Sequence, residues 1–131
     1  MTTPEIIALF KQVTTDLLWS SESDYPFEVV TWERGMELDS TALFSKLAKP
    51  HDSIETITLA DLFTPVLSVE DWYESDELAL VNRYTDLLHA IEANLSEVKV
   101  CRLGEVEIAI YIVGKTPAGD IIGLKTYAVE T

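Results

Sequence analysis

Five carboxylates and two aromatic rings form the densest group of chemically capable side chains in this sequence. Trp72 and Tyr73 are surrounded by Glu70, Asp71, Glu74, Asp76 and Glu77. Such a group can chelate Ca²⁺, but the central glycine and terminal bidentate glutamate of a calcium loop are absent. The spacing alone favours a solvated helix entrance, because acidic residues stabilise the positive end of the helix dipole. A tryptophan among carboxylates is also typical of an interface anchor for a basic, partly apolar partner.

Catalytic groups of the other common kinds are few. His51 and His89 are the two histidines, and neither lies near a candidate nucleophile in the sequence, so a hydrolase triad is not supported. Residues 114–116 (Gly-Lys-Thr) resemble part of a phosphate-binding loop, but Pro117 follows where such a loop needs a helix. A β-hairpin turn explains these residues better. The sequence therefore predicts a protein that is not an enzyme.

The charge of the chain is strongly negative. Nine Lys and Arg residues stand against 23 Asp and Glu residues, which gives a net charge of −14. A field of this sign repels nucleic acid and anionic membranes, and it speeds encounter with basic partners. Many proteins are acidic only to remain dispersed. The charge therefore argues against direct binding of nucleic acid. It does not by itself identify a partner.

Cys101 is the single cysteine, so no internal disulfide can form, and its strand-like surroundings predict a buried structural thiol. Residues 1–7 lack the basic and apolar regions of a secretory signal. No apolar run approaches the roughly 20 residues that span a bilayer. We therefore expect one domain over residues 1–131 that acts in the cytoplasm.

Helical periodicity is clearest in two places. A helix that begins at Thr2 or Thr3 is predicted to bury a face at spacings of three and four, formed by Ile6, Phe10, Val13 and Leu17. A longer helix capped by Ser75 has a predicted apolar stripe of Leu80, Tyr84, Leu87, Ile91 and Leu95, reinforced by Val81 and Leu88. A short helix capped by Asp39 or Ser40 and ending before Pro50, and one helical turn over residues 60–63, are expected between them.

The remaining apolar runs predict strands. They cover residues 27–33, 54–59, 98–103, 105–113 and 121–129, and residues 20–26 are expected to form a polar loop. Three closely spaced strands at the end of the chain favour a mainly antiparallel sheet, which the amphipathic helices must cover. The sequence therefore predicts an α+β fold.

Taken together, several segments resemble one family, the nuclease A inhibitors of cyanobacteria. The resemblance spans nearly the whole chain in order and spacing, and residues 34–68 depart from it most. It is carried by Ser21-Glu22-Ser23-Asp24-Tyr25-Pro26-Phe27-Glu28-Val29, Asp71-Trp72-Tyr73-Glu74, Arg102-Leu103-Gly104-Glu105-Val106-Glu107, Gly114-Lys115-Thr116-Pro117-Ala118-Gly119 and Val129-Glu130-Thr131.

This resemblance implies a three-layer α-β-α sandwich around a four-stranded, mainly antiparallel sheet, like that of the plant pathogenesis-related class 1 proteins. It implies an inhibitor, expected as a monomer in a 1:1 complex, of a sugar-nonspecific nuclease with a ββα-metal active site. By this resemblance, Glu22 and Thr131 bridge the Mg²⁺ of the nuclease, and Asp71 and Trp72 contact its basic rim. The inhibitor is expected to have no cofactor of its own and no direct contact with nucleic acid or membrane.

Thr131 also carries chemistry in its own right, since its hydroxyl and a terminal carboxylate are oxygen ligands of the kind that Mg²⁺ prefers. Two alternatives remain open. One is a small-ligand-binding or enzymatic α+β domain with a site near Arg102, Tyr111 and the carboxylates of the last strands. The other is an inhibitor-like fold that binds a different basic protein.

Overall fold

Three helices and seven strands make up the described part of the chain, which in the computed structural model comprises residues 2–20, 24–31 and 53–129. The helices are α1 (Thr3–Val13), α2 (Leu59–Leu67) and α3 (Ser75–Asn94). The strands are β1 (Leu18–Ser20), β2 (Asp24–Pro26), β3 (Glu28–Thr31), β4 (Ile54–Ile57), β5 (Ser96–Leu103), β6 (Glu107–Lys115) and β7 (Ile121–Val129). The fold of these residues is α+β, as the sequence predicted.

The main sheet has five strands in the order β3-β7-β6-β5-β4, and every neighbouring pair is antiparallel. The expectation of four strands was therefore wrong, because β3 and β4 both join the meander of β5, β6 and β7 as its outer strands. The polar loop expected at residues 20–26 was also too simple. Strands β1 and β2 pair antiparallel there, from Leu18↔Pro26 to Ser20↔Asp24.

Both predicted helix starts use acidic residues near the helix amino end. In α1, the Glu5 amide donates to the Thr2 hydroxyl (3.3 Å) and the Thr2 amide donates to the Glu5 carboxylate (3.2 Å). The hydrogen bond from the Thr2 backbone is the main cause that lowers the pKa of Glu5. In α3 the cap is Glu74 and not Ser75, and the Glu74 amide donates to Glu77 Oε2 at 3.0 Å.

The helices pack on one face of the sheet, where the main core lies. Its centre includes Phe10 of α1, Phe63 of α2 and Leu87 of α3, all fully buried. The predicted stripe of the long helix is confirmed at Tyr84, Leu87, Ile91 and Leu95, which are buried. Leu80 is an exception, because 40% of its surface is exposed.

The opposite face of the central strands is buried as well. The register pairs Cys101 with Tyr111 and Tyr111 with Lys125, so these residues share the face that points away from the helices. On that face Cys101, Leu103, Tyr111, Val113 and Ile121 are buried. Both sides of the central part of β6 and of the first half of β7 are therefore shielded from water, which explains why β6 reads as an almost continuous apolar run.

The predicted buried thiol is confirmed, since Cys101 is fully buried. Burial raises the pKa of Cys101 from 9.0 to about 12. Between these values the unfolded chain releases a proton that the folded chain retains, so the free energy of unfolding falls as pH rises through that window. We expect Cys101→Ala to reduce this alkaline decline by up to about 1.4 kcal/mol per pH unit in denaturant titrations. If the free energy of unfolding fell equally steeply with pH in wild type and variant, this expectation would be contradicted.

Some predictions fall on residues outside the described ranges. They include the short helix expected between residue 39 or 40 and Pro50, and residues 32–33 of the strand expected at 27–33. Residues 28–31 of that strand form β3. Among the described helices, none has both the length and the apolar character needed to cross a bilayer.

Candidate partner-binding surface

The predicted contact residues Asp71 and Trp72 lie in the connection between α2 and α3. A turn forms there, in which the Tyr73 amide donates to the Glu70 carbonyl at 3.0 Å. Asp71 and Trp72 are the two central residues of this turn, so both side chains project from the surface. Both residues are exposed, and their contact with a partner remains a prediction.

Trp72 is the most exposed large apolar side chain of the described residues, at 68%. Its ring packs edge-on against the half-buried ring of Tyr73, with 4.6 Å between the centroids. Trp72 and Tyr73 line the same cavity as Pro65 of α2 and Tyr84 of α3. Tyr73 therefore lies beside both helices. Trp72 is therefore packed against Tyr73 on one side and presents most of its surface to solvent.

The surroundings of Trp72 are acidic. Glu70, Asp71, Glu74 and Asp76 are exposed, and Glu77 is half-buried in the first turn of α3. The sequence has no Lys or Arg from Ser53 to Asn82. Ion pairs of the described residues lie elsewhere, between Arg102 and Glu55 (3.2 Å) and between Lys115 and Glu97 (3.1 Å). The negative charge around Trp72 is therefore not neutralised by neighbouring described cations, and it is available to a basic partner.

The hairpin of β1 and β2 is the second part of the candidate surface, since residues 21–23 connect its strands. Trp19 anchors it through edge-on contacts with Phe27 (6.1 Å), Phe63 (6.0 Å) and Tyr84 (5.8 Å), measured between ring centroids. The Tyr84 hydroxyl also donates to the Leu18 carbonyl. The hairpin is thereby fixed to α3 by buried aromatic packing and by a hydrogen bond.

The residues that connect α1 to this hairpin are bound by Arg83 of α3. Its guanidinium donates to the Thr15 carbonyl at 2.6 Å and reaches the Val13 carbonyl at 3.4 Å. A cation at the carboxyl end of a helix is favourable because the helix dipole is negative there. The chain then turns at Asp16, whose φ of 58° is in the left-handed region, and enters β1.

Strand β2 runs beside the final part of β7. The Thr126 hydroxyl donates to the Pro26 carbonyl at 3.0 Å, and the rings of Tyr25 and Tyr127 lie 5.8 Å apart. Tyr25 and Val129 line one shallow cavity of about 200 Å³. The described residues that come just after residue 23 and just before residue 130 therefore converge at one end of the sheet.

Glu22 and Thr131, the two residues expected to meet the metal of the nuclease, lie outside the described residues. Their roles stay predictions. Within the described ranges, no group of three or more His, Cys, Asp or Glu side chains is arranged to hold a metal ion.

Sequence reasoning missed a cluster built around Lys125, close to the same end of the sheet. Its ammonium lies 4.9 Å from the centroid of the Tyr127 ring and 5.4 Å from that of Tyr111. Hydrogen bonding to the Tyr127 side chain is the main cause that raises the pKa of Lys125. The two-residue period of β7 places Lys125 and Tyr127 on one face, and this signal was available in the sequence.

The alternative ligand site near Arg102 and Tyr111 is not assembled. Arg102 pairs with Ile110, and Tyr111 pairs with Cys101, so the two side chains project from opposite faces of the sheet. His89 is exposed on α3, and His51 lies outside the described residues. Residues 114–116 enter the turn between β6 and β7, which confirms the hairpin interpretation.

Comparison with known proteins agrees with the resemblance read from the sequence. The family model described as nuclease A inhibitor-like protein matches residues 4–131. A search of the curated proteins finds no match to the chain. Because the family match covers nearly the whole sequence, the chain belongs to the nuclease A inhibitor-like protein family.

Proposed function

We propose that this protein is a stoichiometric inhibitor of a sugar-nonspecific, metal-dependent nuclease and performs no chemistry itself. The observation that carries the proposal is the family match over residues 4–131. The acidic, tryptophan-bearing surface around Asp71 and Trp72 gives that match a physical basis, since it suits a basic partner.

Charge supplies the first part of the proposed mechanism. A nuclease cleft attracts phosphates through Arg and Lys side chains, and fixed carboxylates compete for the same groups. The net charge of −14 steers the inhibitor toward such a cleft. In the proposed complex, Asp71 binds a cation on the rim of the active site, and the exposed ring of Trp72 adds apolar contact.

Coordination of the partner's metal supplies the second part. We place the carboxylate of Glu22 and the hydroxyl of Thr131 on the active-site Mg²⁺ of a ββα-metal nuclease, where they replace water and occupy the position of the substrate phosphate. The convergence of Tyr25 and Val129 supports this pairing. Glu22 and Thr131 are within a few residues of those positions, and each residue spans at most about 3.5 Å.

The same proposal includes a monomer in a 1:1 complex within the cytoplasm, and one domain with the three-layer sandwich of the pathogenesis-related class 1 proteins. Burial on both faces of β6 and β7 supports the three layers, since the face opposite the helices also excludes water.

The test is titration of the protein into a metal-dependent, sugar-nonspecific nuclease of the ββα-metal class while cleavage of DNA and RNA is followed. We expect loss of both activities with an equivalence point at one inhibitor per nuclease. Inhibition should weaken as salt rises, because the rim contacts are screened. A double variant with Asp71→Asn and Trp72→Ala, titrated in the same way, is the matched control for the rim contact and should inhibit more weakly than wild type. Full cleavage at a large excess of wild-type protein would refute the proposed function.

A further inference from the structure

An apolar groove lies between α2 and α3 beneath Trp72, and the predicted contacts do not account for it. Its volume is about 220 Å³. We call it the Trp72 groove, and it is lined by Pro65, Val66, Trp72, Tyr73, Glu77, Leu80, Val81 and Tyr84. For comparison, a cavity of about 150 Å³ holds one benzene molecule. The groove therefore has room for one large side chain.

Leu80 shows why this groove is unusual. It belongs to the apolar stripe of α3, and one turn later Tyr84 is 2% exposed, yet Leu80 itself is 40% exposed. The Trp19 ring packs against Tyr84 at 5.8 Å between centroids, whereas Leu80 lies on the wall of the open groove. Together with Trp72 at 68% exposure, Leu80 adds apolar surface that water solvates poorly.

The rim of the groove indicates what can occupy it. Glu77 lines the groove, and Asp71 and Glu74 are exposed in the adjoining turn. The groove is lined mainly by apolar side chains, and its charged lining residue and the charged residues of the adjoining turn are acidic. The fitting occupant is therefore an apolar side chain carried on a basic segment. A second copy of this chain fits poorly, since each copy carries a net charge of −14.

We propose that the Trp72 groove receives one apolar side chain from a Lys- or Arg-bearing loop of the nuclease, with Leu80 as the wall that grips it. This inference rests on the proposed function and extends it from the rim of the interface to a specific pocket. The acidic rim orients the loop, and the apolar interior holds it.

The two contributions respond differently to salt. Attraction between the rim and the basic loop is screened as ionic strength rises, because the Debye length falls from about 10 Å at 0.1 M to about 3 Å at 1 M. Apolar contact in the groove has no such screening. Variants in the rim and in the groove should therefore be separable by a salt series.

The experiment compares inhibition constants of the full chain carrying Leu80→Ala with those of Leu78→Ala. Leu78 is the matched control, because it lies on the same helix with nearly the same exposure, 41% against 40%, and does not line the groove. We expect Leu80→Ala to weaken inhibition about tenfold, which is about 1.4 kcal/mol, and Leu78→Ala to stay within about twofold. The Leu80→Ala ratio should persist at high salt, whereas the effect of Asp71→Asn should shrink.

Leu80→Glu identifies the occupant. A carboxylate in the groove should weaken binding further if the guest is apolar. Stronger binding by Leu80→Glu would mean that the guest is a cation, and a dimer dispersed by Leu80→Glu would assign the groove to a second copy. Either result overturns the proposal, as do equal constants for Leu80→Ala and Leu78→Ala when wild type inhibits. If wild type itself does not inhibit, the proposed function is refuted. If wild type inhibits and the two alanine variants are equal, only the groove proposal is refuted.

Discussion

Removal of Thr131 is expected to weaken inhibition of the nuclease by at least about 30-fold while the fold stays intact. The proposed metal bridge loses its hydroxyl donor, and the partner's metal regains a position for water or substrate. Truncating one member of a buried, charged contact typically costs about 2–5 kcal/mol, or roughly 30-fold or more in affinity. The measurement is an inhibition titration of the deletion variant against wild type, with denaturant unfolding of both.

Two conservative variants refine this test. Thr131→Ser keeps the hydroxyl and should inhibit nearly as well as wild type, whereas the isosteric Thr131→Val should behave like the deletion. Glu22→Gln should be strongly non-additive with Thr131→Val if both donors bind one ion. A deletion variant that inhibits as well as wild type would exclude the metal bridge and leave the Asp71–Trp72 contact standing.

Two tryptophans, substituted alike, are expected to give opposite results. Trp19 is 7% exposed and contacts Phe27, Phe63 and Tyr84, whereas Trp72 is 68% exposed. Trp19→Ala should lower the free energy of unfolding by about 3–5 kcal/mol, because a large cavity replaces the ring. Trp72→Ala should change it by no more than about 0.5 kcal/mol and should weaken inhibition about 30-fold, or about 2 kcal/mol.

Each variant is the control for the other. Denaturant titration measures the first effect, and nuclease inhibition under native conditions measures the second. If Trp72→Ala destabilised the protein as much as Trp19→Ala, its lost inhibition would reflect unfolding, and the contact role of Trp72 would be contradicted.

Much of the fold was predictable because the apolar residues of its long helices recur at helical spacing and the last three strands are apolar runs. Ile6 and Phe10 of α1, and Tyr84, Leu87 and Ile91 of α3, recur at helical spacing and are buried as predicted. The last three strands follow their apolar runs within a few residues. The predicted hairpin turn lies between β6 and β7, and Gly119, with a φ of 92°, supplies the left-handed residue.

Helix α2 shows where local rules fail. The sequence predicted one turn at residues 60–63, and Pro65, which lacks an amide proton, disfavours a helix interior. The helix nevertheless spans Leu59–Leu67. Burial of Leu62 and Phe63 against the core, with a capping bond of 3.0 Å from the Asp61 amide to the Thr58 hydroxyl, offsets the cost of the proline.

The short strands were missed for a different reason. Strands β1 and β2 have three residues each, too few for a two-residue period to stand out. Trp19 and the hydrogen bond from Tyr84 to the Leu18 carbonyl position the hairpin, and such tertiary contacts leave no local pattern. The sequence named Asp71 and Trp72 as contact residues, which stays a prediction, whereas the groove beside them depends on how α2 packs against α3 and leaves no local pattern.

The pairing of β3 with β7 has a consequence for the order of folding. Strands β5, β6 and β7 follow one another through short turns, so the entropy lost in closing them is small. Glu28, by contrast, pairs with Lys125, which is 97 residues away in a chain of 131 residues, and contacts of such separation form slowly. An intermediate would therefore contain the meander before the early segment docks beside it. Such an intermediate lacks the core contributions of Phe10 and Trp19. Under the proposed mechanism it has no inhibitory power, so activity emerges only with the final docking step.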